Sequence, residues 1–164
     1  MSRPVVIDSQ LFARDGGSLQ GELLVATLTR VHDLLVDRAG SLTYRVNGRV
    51  GPRDRPQLLL EVDGVLSLCC QRCLEVIAYP LQLRSLLEFV DDDADLTQEE
   101  LEDDSRDFLV NQKALDVVVL IEDEILLALP VAPRHEGCAL PGSALESARV
   151  SPFSVLASLH GEVE

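Results

Sequence analysis

The sequence has no tryptophan, one methionine and only six phenylalanine and tyrosine residues among its 164 positions. No apolar run approaches the ~18 residues needed to cross a bilayer. The first residues also lack the basic region and apolar core of a secretory signal. At 46% hydrophobic content the chain can still bury a core. These features predict one cytoplasmic domain over residues 1–164 that contacts no membrane.

Cysteine is scarce, and its placement predicts metal binding. Three of the four cysteines lie within five positions, too close together for a disulfide framework. Cys70 and Cys73 form a C-x-x-C turn between two apolar, strand-like runs, and His135 and Cys138 form a distant H-x-x-C. Three thiolates and one imidazole suit a closed tetrahedral zinc site. The sequence therefore predicts one structural zinc on these four residues.

Two other interpretations of the cysteines stay open. In the first, Cys69 and Cys70 are packed strand residues, Cys73 is an ordinary turn thiol and His135 lies in a loop. In the second, the C-x-x-C is a redox pair, which would require its nucleophile at the start of a helix. The residues after Cys73 are instead typical of a strand, which disfavours redox chemistry. Adjacent strand side chains face opposite ways, so Cys69 and Cys70 should not both be ligands.

Charge is unevenly distributed along the chain. Residues 88–107 contain eleven Asp and Glu residues and one arginine, a net charge of −10 within a chain of −14. We interpret residues 91–107 as a mobile acidic loop, which either solubilises the protein or holds a basic partner. Residues 30–55 carry six arginines and three aspartates, a net charge of +3. Of these arginines, Arg45 and Arg49 could contact RNA phosphate, or they could belong to a solvated strand face.

The N-terminal half predicts a short edge strand, two helices and an antiparallel meander. The strand covers Pro4–Ile7, and Asp8 or Ser9 caps a single helical turn that stops at Gly16-Gly17. Apolar residues from Glu22 onward recur every three or four positions, which predicts an amphipathic helix ending near Gly40. Three strands follow. The first is Leu42–Val46, and the second is Leu58–Cys69 with a bulge or tight turn at Asp63-Gly64. The third follows the C-x-x-C turn and runs back to about Phe89, with Pro80 indicating an edge position or a bulge.

The C-terminal half predicts a buried helix and a short final one. Ala114–Leu129 is apolar on nearly every face, and Pro130 closes it. Glu122, Asp123 and Glu124 interrupt it, so at least one must reach solvent or pair with a cation such as Arg72. Residues 139–150 form a linker, after which Ser151 caps a last helix.

These elements predict an α+β domain. Its twisted antiparallel sheet could curl toward a barrel, two or three helices cover it, and a long acidic loop leaves it.

Three stretches in order resemble the bacterial YceD family, named for large ribosomal RNA subunit accumulation. They are Cys70–Glu75, Leu115-Asp116 leading to Ile121–Pro130, and Pro152–Leu159. The resemblance implies a non-enzymatic factor that supports synthesis, processing or stability of large-subunit ribosomal RNA. We therefore expect a ribosome assembly adapter or chaperone that meets large-subunit RNA or a basic ribosomal protein, and no DNA. Candidate contacts are Arg72, Arg45, Arg49, Glu122, Asp123 and Glu124. The alternative is a zinc- or thiol-dependent enzyme or redox switch at the C-x-x-C turn.

Overall fold

The structure, a computed structural model, describes residues 5–92, 96–103 and 105–138. The elements are, in chain order, β1 (Val6–Ile7), α1 (Ser9–Arg14), β2 (Ser18–Leu24), β3 (Leu35–Asp37), β4 (Ser41–Val50), β5 (Pro56–Cys69), β6 (Val76–Val90), α2 (Gln98–Leu101), β7 (Asp107–Val110), β8 (Leu115–Asp116) and α3 (Val117–Ala128). The predicted linker over residues 139–150, the helix after Ser151 and Pro4 lie outside the described residues.

One six-stranded sheet forms the body of the domain. Its strand order is β2-β4-β5-β6-β7, and β3 pairs with β5 beside this path. All pairs are antiparallel except β6 with β7, which run parallel. The path runs from β2 to β7 without returning to β2, so the sheet is open. The α+β prediction is confirmed, and the expectation that the sheet would curl toward a barrel is wrong.

The long hairpin β5–β6 is the centre of the sheet and carries the C-x-x-C turn at its tip. Alternate residues of β5 face the core, among them Leu58, Leu60 and Leu66, as the period of two requires. The register runs unbroken past Gly64, which pairs with Leu81, so the bulge predicted there is absent. A Cβ on Gly64 would lie 2.4 Å from Leu42 Cδ2. The absence of a side chain at Gly64 therefore allows Leu42 of β4 to pack closely against β5.

The helix predicted from Glu22 is wrong. The chain runs as β2 to Leu24, makes two 3₁₀ turns at Val25–Thr27 and Thr29–Leu34, and continues as β3. Val25, Leu28 and Val31 are fully buried at intervals of three residues, which is the period of a 3₁₀ helix. The helix prediction used Leu24, Leu28, Val31 and Leu35, at spacings of four, three and four, but Leu24 is 59% exposed and Val25 is buried in its place.

Aspartate side chains cap the N-termini of α1 and α3. Asp8 caps α1 by accepting a 2.9 Å hydrogen bond from the Leu11 amide, as predicted. Asp116 caps α3 by accepting from the amides of Val118 and Val119 at 2.9 and 3.4 Å. The helix therefore begins three residues later than predicted, because Leu115 and Asp116 pair with β1. No helix within the described ranges is long and apolar enough to span a bilayer.

Candidate metal centre and charged sites

The C-x-x-C turn joins the end of β5 to the start of β6. The Cys70 amide donates to the Glu75 carbonyl and the Leu74 amide donates to the Cys70 carbonyl, both at 2.9 Å. Leu74 has φ 64, the left-handed region that usually requires glycine. These bonds curl the backbone around Cys70, whose side chain is fully buried.

The H-x-x-C segment returns to this turn after α3 ends. A 2.8 Å hydrogen bond from the Gln71 amide to the Pro133 carbonyl holds the two segments together. Gly137, with φ 72, supplies the left-handed residue between His135 and Cys138. The fold therefore brings together two pairs of residues that lie far apart in sequence.

The ligand atoms of Cys70, Cys73, His135 and Cys138 all lie within 4.8 Å of one another. Cys70 Sγ lies 3.7 Å from Cys138 Sγ, and Cys73 Sγ lies 3.3 Å from His135 Nδ1. A tetrahedral zinc with Zn–S near 2.3 Å and Zn–N near 2.05 Å would place such pairs about 3.8 and about 3.5 Å apart. The four residues therefore fit a zinc ion.

A hydrogen bond at Nε2, the ring nitrogen that does not face the thiols, orients the imidazole of His135. Its Nε2 lies 3.1 Å from the carbonyl oxygen of Val76, the first residue of β6. Donation from Nε2–H leaves the lone pair of Nδ1 facing the thiols, the arrangement that metal-ligating histidines adopt.

The thiols of Cys70 and Cys73 influence each other's ionisation. Burial disfavours the Cys70 thiolate, but hydrogen bonds from the backbone of Cys73, His135 and Arg72 outweigh it and lower the pKa of Cys70 to about 5. The backbone of Glu75 favours the Cys73 thiolate, yet burial and the neighbouring Cys70 raise the pKa of Cys73. Hydrogen bonds with Cys70 and the Val76 carbonyl raise the pKa of His135. A divalent cation would relieve the repulsion between these thiolates.

Cys69 is not part of this group. Its sulfur lies 3.8 Å from the Cys70 carbonyl oxygen and 3.7 Å from that of Leu74. Cys69 is the last residue of β5 and is partly exposed, whereas Cys70, the first residue of the turn, is buried with the other three ligand atoms near it. All four cysteines are free thiols.

The carboxylates of α3 have internal partners. Glu122, which is buried, accepts a 3.0 Å hydrogen bond from the Arg30 amide, and Asp123 forms an ion pair with the Arg30 guanidinium. Glu124, also buried, accepts from the Ser85 hydroxyl. Burial raises the pKa of Glu124. The prediction that at least one of them reaches solvent or pairs with a cation is confirmed, although the cation is Arg30 and not Arg72. Contact of these three residues with a partner stays a prediction.

The predicted basic contacts are spread over the surface. Arg45 is exposed on β4 and lies 3.6 Å from Glu61, while Arg49 Nε donates to Gln57 at 2.9 Å. The Arg72 side chain is exposed at the hairpin tip, and its amide donates to Cys70 Sγ at 3.4 Å. RNA or partner contact by these arginines also stays a prediction.

The sequence did not predict an ionic network between the acidic stretch and a 3₁₀ turn at Pro52–Asp54, which carries Arg53 and is followed by Arg55. Buried Glu100 of α2 pairs with Arg53 and, at 2.7 Å, with Arg55. Buried Glu88 on β6 accepts from Arg55 at 3.2 Å and from Arg106 at 3.3 Å. Part of the predicted acidic loop therefore folds onto the sheet.

One local signal for this network was present. Thr97-x-x-Glu100 is the S/T-x-x-E pattern of a capping box. In the structure the Glu100 amide bonds the Thr97 hydroxyl at 3.3 Å, and the Thr97 amide bonds the Glu100 carboxylate at 2.9 Å. The amide hydrogen bond from Thr97, strengthened by Arg55 and Arg53, outweighs burial and lowers the pKa of Glu100 to about 2.

The open sheet and the convergent cysteine and histidine residues define a small α+β domain with a candidate structural metal centre at the tip of its central hairpin. A family model described as "Large ribosomal RNA subunit accumulation protein YceD" matches residues 58–160, which is more than half of the chain. The chain belongs to this family, as its motifs predicted. No curated protein and no solved structure matches it.

Proposed function

We propose that this chain is a cytoplasmic, non-enzymatic factor that supports synthesis, processing or stability of large-subunit ribosomal RNA, acting as a ribosome assembly adapter or chaperone. The observation that carries this proposal is the family match, which covers both halves of the cysteine and histidine site. The family description refers to accumulation of the RNA, an outcome that a binding factor can produce without catalysis.

The zinc in this proposal is structural. Cys70, Cys73, His135 and Cys138 would hold it, and four protein ligands leave no position for a substrate or a water. When bound, the ion supplies a cross-link between the β5–β6 hairpin and the segment after α3. The hairpin tip then presents the exposed Arg72 on a rigid support.

The adapter would work through opposite charges. Arg45, Arg49 and Arg72, all exposed, are candidate contacts for RNA phosphate. The acidic residues between 91 and 107 are the candidate contact for a basic ribosomal protein. Half-exposed Asp123, which pairs with Arg30, could add to this contact more readily than buried Glu122 and Glu124, whose hydrogen bonds are internal.

A thiol-dependent enzyme or redox switch is the second candidate. The low pKa of Cys70, about 5, favours it because thiolates are the reactive form. Full burial of Cys70 disfavours it, since a redox nucleophile must be accessible. Metal analysis of protein purified without chelator separates the two. About one zinc per chain supports the structural site, whereas no metal and a readily cycling disulfide support redox chemistry.

The functional test is the ratio of large- to small-subunit ribosomal RNA in cells lacking this protein. The ratio should fall and should recover when the wild-type copy is restored. The Arg72→Ala variant should restore it only in part, while Arg134→Ala, an exposed arginine outside the proposed contacts, should restore it fully. A ratio that stays level under both fast and slow growth would remove the ribosomal assignment.

A further inference from the structure

The acidic helix α2 is attached to the sheet by charge rather than by apolar packing. Of its four residues only Glu100 is buried, whereas Leu101, its one apolar residue, is 61% exposed. Glu100 meets the guanidinium groups of Arg53 and Arg55. A contact made by ion pairs is one that another anion can replace, because both anions use the same donors.

The turn that holds Glu100 is unusual in its backbone. Arg53 and Asp54 have φ values of 60 and 59, so two successive non-glycine residues occupy the left-handed region. Such backbone persists only where surrounding contacts impose it, and it clusters at ligand-binding positions. Here it directs the Arg53 guanidinium, which is 61% exposed, toward the Glu100 carboxylate.

An open cleft adjoins this turn. It measures about 490 Å³, and its lining includes the polar side chains of Gln10, Arg14, Arg53, Arg55 and Asn111, with Asp54 and Asp91 as its acids. Arg14 on α1 adds a third guanidinium to the two that pair with Glu100. The volume and the planar donors suit a phosphate group of an extended strand.

The cleft would keep its shape without Glu100. Glu88, beneath Arg55, retains hydrogen bonds from Gln57 at 2.6 Å and from Arg106 at 3.3 Å. Arg55 in turn retains Glu88. Departure of Glu100 therefore leaves Glu88 paired and removes one carboxylate from Arg53 and Arg55.

We infer that Arg53 and Arg55 form a phosphate-binding site for single-stranded RNA, which the Glu100 carboxylate occupies in the free protein. An RNA phosphate replaces Glu100, and α2 leaves the sheet. This inference rests on the proposed function and names its RNA-contacting site, at a turn that precedes the residues matched to the family. Exposed phosphate contacts are sequence-independent, so any single strand should serve as the first probe.

The test measures binding of a fluorescent 20-nucleotide polyuridylate by anisotropy at several salt concentrations. Glu100→Gln should bind at least about five times more tightly than Glu99→Gln. The control removes the same charge from the same helix, but Glu99 is exposed. Adding Arg53→Gln to Glu100→Gln should cancel the gain and reduce the salt slope by about 0.7, the value for one phosphate contact on a single strand. Equal affinities of the two glutamine variants would overturn the inference.

A second readout follows α2 directly in the wild-type protein. The amides of Leu101 and Glu102 donate to the carbonyls of Thr97 and Gln98. Hydrogen exchange at these two amides should speed up when the 20-mer binds, and amides that stay protected in the complex would refute displacement. The ribosomal RNA ratio in cells is measured independently of both readouts. If that ratio falls without the protein and recovers when it is restored, but Glu100→Gln does not change polyuridylate binding, this site is rejected and the proposed function is kept.

Discussion

The backbone amide of Gln71 donates a 2.8 Å hydrogen bond to the carbonyl oxygen of Pro133. This bond links the C-x-x-C turn to the H-x-x-C segment without using any of the four candidate ligand side chains. The two halves of the site therefore have a protein contact of their own, and most of the sheet lies away from them. We expect metal loss to weaken this end of the domain rather than to unfold the whole chain.

Replacing Cys73 by serine should remove the zinc and lower stability. When the metal is present at about 1,000 times its dissociation constant, its binding adds about 4 kcal/mol to the free energy of unfolding. Loss of this contribution should lower Tm by about 10 °C for a domain of this size. Calorimetry and metal analysis measure both effects. Cys69→Ser is the matched control because Cys69 is outside the ligand group, and it should keep the zinc. Equal zinc content in the two variants would contradict the assignment.

The Glu100 network should make stability depend on acid. The folded pKa of Glu100 is lowered from 4.5 to about 2, so its contribution to the free energy of unfolding is present above pH ~4.5 and is lost as the pH falls toward 2. Urea titrations between pH 6 and 2 should show wild type more stable than Glu100→Gln at the upper end, with the gap closing toward the lower end. Glu99→Gln should show no such gap, and a gap of constant size would argue against the ion pairs.

Leu74 should be replaceable by glycine with a gain in stability. A left-handed backbone costs a non-glycine residue such as Leu74 roughly 1–2 kcal/mol, and glycine avoids this cost. Glycine also makes the unfolded chain more flexible, which offsets part of the gain. Leu74→Gly should therefore raise the free energy of unfolding by about 0.5–1 kcal/mol in urea. Leu74→Ala keeps the unfavourable φ and loses only an exposed side chain, so it should gain nothing. Equal effects of the two substitutions would show that the backbone is not strained here.

Glu124→Gln should stabilise the protein at neutral pH. Burial raises the folded pKa of Glu124, so the ionised group disfavours folding at high pH, and this cost disappears as the pH falls through the folded pKa. Glutamine retains an acceptor for the Ser85 hydroxyl and removes the charge. The gain should be larger at pH 8 than at pH 4, as measured by urea unfolding. A loss of stability at both pH values would indicate that the charge itself is needed.

The sequence predicted the four residues of the candidate metal centre because such chemistry is carried by residue type and short spacing. Cys70 and Cys73 lie on one turn, and His135 and Cys138 on another, so only the meeting of the two turns had to be inferred. The strands from Leu42 and Leu58 were predictable for a similar reason, since a period of two is a strong local signal.

The wrong predictions arose where the spacing of apolar residues fitted two kinds of helix, or where a charged residue had several possible ion-pair partners. Apolar residues recur between Leu24 and Leu35 at spacings that fit an α-helix, and only packing, which buries Val25, Leu28 and Val31, shows the period of a 3₁₀ turn. Pairing of Glu100 with Arg53 and Arg55 depends on contacts 47 and 45 positions apart. Charge counting predicted separate acidic and basic faces, whereas opposite charges meet as soon as the fold brings them close.

The parallel pairing of β6 with β7 gives the acidic stretch a role as a topological connection. Consecutive strands can run parallel only if the chain between them travels back along the sheet, and such a crossover takes a dozen or more residues. Residues 91–106 connect these two strands. Shortening this connection much would detach β7. Variation here is therefore constrained in length, and in charge at Glu100 and Arg106, which form ion pairs, but not at exposed positions such as Glu99.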